Sequence, residues 1–155
     1  MIQLQNVLVA VNFDEASNVA LRYARSLAGN FGARLHVLHV TENLFLRPMA
    51  NDPRAIEAGI TRRLLDVLTD EDRTKLHAVP VVRKSDEPAD EIVKYARDEQ
   101  IDLIVMGTHG RPGFAHLLMG SVAERVVRLA PCPVLTLRHP ERDFVLADAP
   151  EAAAI

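Results

Sequence analysis

A glycine-rich segment running from Gly107 to Ser121 holds the residues best suited to chemistry in this chain. It begins Gly-Thr-His-Gly-Arg-Pro-Gly and ends at Gly120-Ser121. Because glycine has no side chain, a loop built on Gly107 and Gly110 can turn tightly and bring backbone N–H groups against phosphate oxygens. Gly120 and Ser121 open a predicted helix whose first N–H groups favour an anion, and the Ser121 hydroxyl adds a donor. This spacing predicts a phosphate cradle.

Two side chains of the segment could offset the charge of a phosphate. Arg111 is the stronger candidate because its guanidinium is always protonated, and His109 is the second. A structural alternative stays open, since glycines at strand ends also serve turn geometry and Ser121 could be only a helix cap. The spacing matches neither the dinucleotide fingerprint nor the P-loop. A metal site shared by His109 and His116 has no cysteine or carboxylate cluster to support it.

Alternating strand and helix patterns must position this segment. Short apolar runs predict strands over 7–11, 34–40, 76–83, 101–106 and 133–138. Helical spacing of apolar residues predicts helices over 14–30, 53–75, from 88 onward and over 120–130. This alternation implies an open doubly wound parallel sheet with helices on both faces. Pro80 places the third strand at a sheet edge, because proline cannot donate to a central ladder.

The predicted ligand site lies where two loops meet at one edge of this sheet. Ligands of doubly wound sheets bind outside the carboxyl ends of the strands, where the strand order reverses beside the first strand. The loop after the first strand holds Asn12, Phe13 and Asp14, and the glycine-rich loop follows the fourth strand. Both loops should therefore border the same crevice.

Length and composition fit one domain without a membrane span. The chain has 155 residues, 48% hydrophobic and 25% charged, and its net charge of −3 argues against a protein built around nucleic acid. No apolar run approaches the ~20 residues of a membrane helix, and the start lacks signal-peptide features. A single cysteine, Cys132, allows no internal disulfide and is expected to be packed. We expect a cytoplasmic domain over 1–139 and a disordered, Ala-, Asp-, Glu- and Pro-rich tail over 140–155.

Other combinations of reactive residues give weaker signals. His36 and His39 lie three apart in a strand and point to opposite faces, so they cannot share a metal. Glu124 and Arg125 on the last helix fit a solvent-facing ion pair or a dimer contact better than catalysis. No nucleophile-elbow pattern is present. The sequence therefore assigns no catalytic residue and no metal ligand.

Three stretches of the chain together resemble the universal stress protein family. They are VLVAVNFDEASNVALRYA, LIVMGTHGR and GSVAERVVRLAPCPVLTLR, in that order and at the expected separations. The spacing from Gly107 to Gly110 to Gly120-Ser121 is similar to the phosphate-binding motif of the ATP-binding members. The resemblance covers about residues 6–138. It implies a flavodoxin-like strand order 3-2-1-4-5, which agrees with Pro80 on an edge strand.

The resemblance also implies a ligand, which is ATP or the related AMP or ADP, with or without Mg²⁺. Asn12 would face the ribose, Val40 would touch adenine through its backbone, and Met106 would border the nucleotide. The phosphates would be held by Gly107, Gly110, Gly120, Ser121 and Val122. The family usually has Asp at the position of Asn12, so the ribose contact is expected to survive more readily than a metal contact. Asp14, two positions on, could compensate for the lost charge.

The function implied is a nucleotide-dependent regulator of the stress response. It would be a homodimer paired through the last strand, and it would act through an unknown protein partner. Two alternatives stay open: a nucleotide-free dimeric interaction protein, which Asn12 keeps in play, and a slow ATPase, for which no dedicated base is identified.

Overall fold

The five predicted strands form one parallel sheet. The computed structural model describes residues 1–41, 52–108, 121–138 and 142–145. The strands are β1 (Asn6–Ala10), β2 (Arg34–Thr41), β3 (Val79–Lys84), β4 (Leu103–Gly107) and β5 (Val134–Leu137). Their order across the sheet is β3-β2-β1-β4-β5, and every pairing is parallel. The predicted doubly wound sheet, its strand order and the edge position of Pro80 are confirmed.

Helices cover both faces of the sheet. They are α1 (Glu15–Phe31), α2 (Pro53–Asp66), α3 (Asp70–Thr74), α4 (Pro88–Asp98) and α5 (Ser121–Leu129). Val7 and Val9 of β1 pack on the side of α1 and α2, whereas Leu8 packs on the side of α4 and α5. This alternation explains why the central strands are unbroken apolar runs, since each face lies under a helix layer. The two hydrophobic cores therefore lie on opposite sides of β1 and β4.

The single helix predicted over 53–75 is wrong, because the chain forms α2 and α3 with a break between them. Thr69 caps α3: its hydroxyl accepts from the Asp72 backbone N–H at 3.1 Å, and the Asp72 carboxylate accepts from the Thr69 N–H at 2.8 Å. Such reciprocal capping starts a new helix. Arg25 of α1 then binds the Asp72 carboxylate through Nε and Nη2, at 2.8 and 2.6 Å. A tertiary ion pair thus fixes the position of the break.

Residues 142–145, within the predicted disordered tail, lie against α1. The Phe144 N–H donates to the Tyr23 hydroxyl at 3.1 Å, and the two rings meet edge-on at 4.6 Å. Asp143 pairs with Arg22. Residues 140–141 and 146–155 lie outside the described residues, so disorder there and the boundary at 139 stay predictions. Among the described helices, none combines the length and apolar character that crossing a membrane requires.

Candidate functional site

A cleft of about 180 Å³ opens at the carboxyl ends of β1 and β4. β1 pairs with β2 on one side and β4 on the other, so the strand order reverses here. This is the position at which doubly wound sheets bind ligands. Most of the cleft wall is apolar and a few polar groups lie at one end; the lining residues are Ala10, Val11, Asn12, Asp14, Ser17, Leu38, Val40, Pro88, Ile92, Met106, Gly107 and Val122.

The structure brings together half of the predicted site residues. Five of the ten line the cleft: Asn12, Val40, Met106, Gly107 and Val122. Ser121 is the exposed first residue of α5 and is not among the lining residues. Four others lie outside the described residues: His109, Gly110, Arg111 and Gly120.

The turn between β1 and α1 supplies the polar end of the cleft. Asn12 Nδ2 donates to Asp14 Oδ2 at 3.0 Å, and the Asp14 backbone N–H donates to Asn12 Oδ1 at 3.1 Å. Asp14 Oδ1 also accepts from the Ser17 backbone N–H at 2.7 Å and so caps α1. The turn thus holds an amide and a carboxylate side by side at the edge of the cleft.

This cap decides the electrostatic character of the start of α1. Helix N-termini attract anions through unpaired N–H groups and the helix dipole. Here the Asp14 carboxylate already binds the Ser17 N–H and brings its own negative charge. A phosphate is therefore disfavoured at this corner. Hydroxyl groups or a cation suit it better, because they can share carboxylate and amide oxygens.

Gly107 lets α1 approach the end of β4. A Cβ atom placed at Gly107 would lie 2.6 Å from the carbonyl carbon of Ala16 and 2.7 Å from its oxygen. Neither backbone atom can move without displacing the first turn of α1. Helix packing alone therefore requires glycine at this position, which is a structural role other than the turn geometry that the sequence left open.

The backbone of Val40 points toward the cleft. The Leu38 carbonyl accepts from the Val11 N–H at 2.9 Å, so the peptide groups of Leu38 face β1. Peptide groups alternate sides along a strand, which places those of Val40 on the same side as those of Leu38. Because β1 ends at Ala10, the N–H and C=O of Val40 are directed into the space beyond it.

Phe13 is a feature of the site that the sequence did not single out. Its φ angle of 65° lies in the left-handed region, which aromatic residues rarely adopt. Its ring lies 4.7 Å from the His39 ring and 4.5 Å from the Arg63 guanidinium carbon, measured to the centroid. His39 Nδ1 donates to the Val11 carbonyl at 2.7 Å. The only sequence signal is the position of Phe13 between two polar turn residues.

Helices α4 and α5 form the far wall of the cleft and are joined by an ion pair. Arg125 of α5 donates from Nε and Nη2 to the two carboxylate oxygens of Asp90 in α4, at 2.7 and 2.8 Å. The hydrogen bonds from Arg125 hold the pKa of the Asp90 carboxyl below its usual value. Glu124 pairs with Arg128 at 2.9 Å. Glu124 and Arg125 thus form solvent-facing ion pairs, one of the two alternatives given for them, and the other, a dimer contact, stays a prediction.

Among the described residues, the remaining sequence candidates do not form a second site, and His116 lies outside the described residues, as His109 does. His36 contacts Tyr95 on the α4 side and His39 contacts Phe13 on the α1 side, so their predicted opposite orientation is confirmed. Within the described ranges, no three His, Cys, Asp or Glu side chains cluster in a way that could hold a metal ion. Burial raises the pKa of the Cys132 thiol, which disfavours a reactive thiolate.

Comparisons with known proteins agree with this fold and with the sequence resemblance. Residues 3–138 match the sequence profile of the Universal stress protein family. A universal stress protein from Thermus aquaticus is 33% identical, over 86% of this chain and 98% of that one. Two solved structures share the fold. A protein of the universal stress protein family from Burkholderia pseudomallei has 31% identity and a TM-score of 0.68, over 86% of this chain and 96% of that one. The universal stress protein from Archaeoglobus fulgidus, solved in complex with dAMP, has 25% identity and a TM-score of 0.62, over 88% and 98%. This chain belongs to the universal stress protein family.

Proposed function

We propose that the chain binds an adenine nucleotide, namely ATP, ADP or AMP, in the cleft between β1 and β4. The observation that carries the proposal is the meeting of five predicted nucleotide-site residues at this cleft. The relative from Archaeoglobus fulgidus, solved in complex with dAMP, supports the ligand class. Occupancy of the cleft then regulates binding of a protein partner in the stress response.

The apolar wall suits a flat base. Leu38, Ile92 and Met106 line it with hydrocarbon and thioether groups, and ligand pockets of this kind combine apolar walls with a few well-placed polar groups. The N–H and C=O of Val40 provide a donor and an acceptor beside that wall. The edge of adenine carries the complementary acceptor and amino donor.

The polar end of the cleft suits a ribose. Asn12 and Asp14 present amide and carboxylate oxygens, which accept hydrogen bonds from sugar hydroxyls. Since Asp14 makes the start of α1 unfavourable for phosphate, the phosphates extend toward the start of α5, next to Val122. There we propose Gly110, Gly120 and Ser121 as phosphate-binding residues, with Arg111 and His109 offsetting the charge. If Mg²⁺ joins the nucleotide, Asp14 supplies the carboxylate that such a cation requires.

A second part of the proposal is a homodimer paired through β5. This strand lies at the sheet edge beside β4, and an edge strand can add a strand from another chain. Val127 and Leu129 of α5 are large exposed apolar residues, 46% and 44% accessible. A nucleotide shifts partner binding only if it binds two states of such a dimer unequally.

Calorimetric titration of the nucleotide-stripped protein with ATP, ADP and AMP, with and without Mg²⁺, tests the proposal. Saturable binding is expected, and Asn12→Ala should weaken it about two- to tenfold, because one neutral hydrogen bond is lost. Asn18→Ala, an exposed amide on α1 outside the cleft, serves as the control and should bind like the wild type. The proposal would be refuted if none of the three nucleotides gave a heat of binding and if no nucleotide were released when the protein is denatured. That result would favour a nucleotide-free dimer. Phosphate release in the same samples tests the slow ATPase.

A further inference from the structure

We infer that Phe13 is a positioning residue that couples the cleft to helix α2 through its contact with Arg63. This inference rests on the proposed nucleotide site and assigns it a route of regulation. Its starting observation is the left-handed backbone of Phe13, because strained non-glycine residues persist where the surrounding structure holds them and cluster at functional sites.

The strained residue separates two directions of the chain. Asn12 and Asp14, on either side of it, line the cleft, and most of the apolar wall of the cleft belongs to the core under α4 and α5. The Phe13 ring packs instead against the core on the α1 and α2 side. If the turn that holds Asn12 and Asp14 moves on one face of the sheet, the Phe13 ring therefore has to move on the other face.

Two side chains hold the ring from different elements. His39 of β2 lies 4.7 Å away and is itself fixed by its hydrogen bond to the Val11 carbonyl. Arg63 of α2 places its guanidinium carbon 4.5 Å from the ring centroid, within the range of a cation–π contact. The sheet provides a fixed contact and α2 provides a contact that can shift.

Helix α2 is suited to move because it is held by little buried surface. Leu64 is its one buried residue in the described structure, and the neighbouring Leu65 is 41% exposed. Elements with few buried contacts open at low free energy. A ligand that draws Asn12 and Asp14 toward the cleft would thus change the position of α2, whose exposed face is available to a partner.

Coupling between two sites is reciprocal, so a change at Arg63 should alter nucleotide affinity although Arg63 does not line the cleft. We expect Arg63→Gln to raise the Kd for ATP about two- to fivefold, the range set by one cation–π contact. Arg63→Lys retains the cation and should stay within about twofold. Arg62→Gln, which removes the same charge from the adjacent exposed position, should leave Kd unchanged.

A double-mutant cycle shows whether the effect passes through the ring. Phe13→Leu keeps an apolar side chain but removes the aromatic face, so Arg63→Gln should have no additional effect on Kd in that background. If the two substitutions weaken ATP binding independently, the coupling does not run through this contact.

Hydrogen exchange without nucleotide separates this inference from the proposed function. The Ser17 amide, bound to Asp14 Oδ1 at 2.7 Å, should exchange faster in Arg63→Gln than in Arg62→Gln. Equal exchange rates of the Ser17 amide in the two variants would overturn the coupling, whether or not the chain binds ATP. If the chain binds ATP, equal affinities of the two variants for ATP would also overturn the coupling. If the Ser17 amide exchanges faster in Arg63→Gln but the chain binds no adenine nucleotide, the missing binding refutes the proposed function and the faster exchange still supports the coupling.

Discussion

The two ends of the sheet are built differently. At the amino ends of the strands, Asp102 Oδ2 accepts from the backbone N–H groups of Gln5 and Asn6 at 2.7 and 2.9 Å, which ties the start of β1 to β4. At the carboxyl ends, the Asn12 and Asp14 side chains bind each other and border an open cleft. One end joins backbone segments, whereas the other presents polar side chains around a space.

A buried ion pair follows the same division. The Arg25–Asp72 pair lies toward the amino ends, with Asp72 only 1% exposed. Burial alone would raise the pKa of Asp72, but the hydrogen bonds from Arg25 and Thr69 lower it overall. Groups that stabilise the fold thus lie toward the amino ends of the strands, and groups that can bind a ligand lie at the carboxyl ends. Substitutions at the two ends should therefore change stability and nucleotide affinity separately.

The largest expected effect comes from breaking the buried pair. Arg25→Met would leave the Asp72 carboxylate buried without its cation, which costs about 3–5 kcal/mol of unfolding free energy. Arg22→Met on the same helix breaks a pair whose side chains are 45% and 31% exposed, and should cost at most about 1 kcal/mol. Urea denaturation followed by circular dichroism measures both.

The same variants test the comparison itself. Arg25 lies far along α1 from the cleft residues, but its Nη2 also donates to the Val67 carbonyl at the end of α2 at 2.6 Å. Arg25→Met should therefore change the nucleotide affinity by no more than the about two- to fivefold expected for Arg63→Gln, at temperatures where it is folded. A loss of affinity matching the loss of stability would show that the two ends are not independent.

An intermediate effect is expected at Gly107, where the cleft end is tightly packed. Gly107→Ala places a methyl group against the Ala16 backbone and should cost about 1–3 kcal/mol by overpacking. It should also weaken nucleotide binding, since relief of the clash displaces the start of α1. Gly59→Ala in α2 meets nothing within 4 Å and should instead stabilise by about 0.5–1 kcal/mol.

In thermal unfolding, a lower Tm for Gly107→Ala and a higher Tm for Gly59→Ala, each relative to the wild type, would support the packing role of Gly107. If Gly107→Ala keeps full stability and loses only nucleotide affinity, its role belongs to the ligand and not to α1.

The sequence predicts most of the fold because its signals are local. Apolar runs place the central strands, the helix predicted over 14–30 matches α1 to within one residue at each end, and Pro80 places β3 at the edge. The break between α2 and α3 escaped prediction because helical spacing continues through it. The capping pair of Thr69 and Asp72 is a local signal for the start of α3, but the apolar spacing hides it. The contacts of Arg25 with Asp72 and with the Val67 carbonyl at the end of α2 are tertiary, so no local pattern contains them.

The site is predictable to a different degree. Strand alternation places the loops after β1 and β4 together, and the family resemblance supplies individual residues such as Asn12 and Val40. It cannot supply the left-handed backbone of Phe13, which depends on contacts with His39 and Arg63 from distant segments. The role of Gly107 likewise depends on how closely α1 approaches.

The smallest of the three expected effects concerns His36, a buried group toward the amino ends. Asn6 Nδ2 donates to the Gln100 carbonyl at 3.4 Å, which leaves Asn6 Oδ1 to accept from His36 Nε2 at 3.3 Å. His36 Nδ1 then accepts from the Tyr95 hydroxyl at 2.8 Å. The neutral imidazole therefore has both nitrogens paired. Burial lowers the pKa of His36 and raises that of Tyr95 to about 12.

A lowered His36 pKa sets the sign of the pH dependence. Below the ordinary value of 6.5, the unfolded chain takes up a proton at this position while the folded chain does not, so the free energy of unfolding falls as the pH falls. Denaturant titrations at pH 8, 6 and 5 should show this fall in the wild type and a smaller fall in His36→Gln. Equal pH dependence in both proteins would mean that His36 can be protonated without leaving its place, and that the amino end of the sheet is less rigidly closed than its hydrogen bonds indicate.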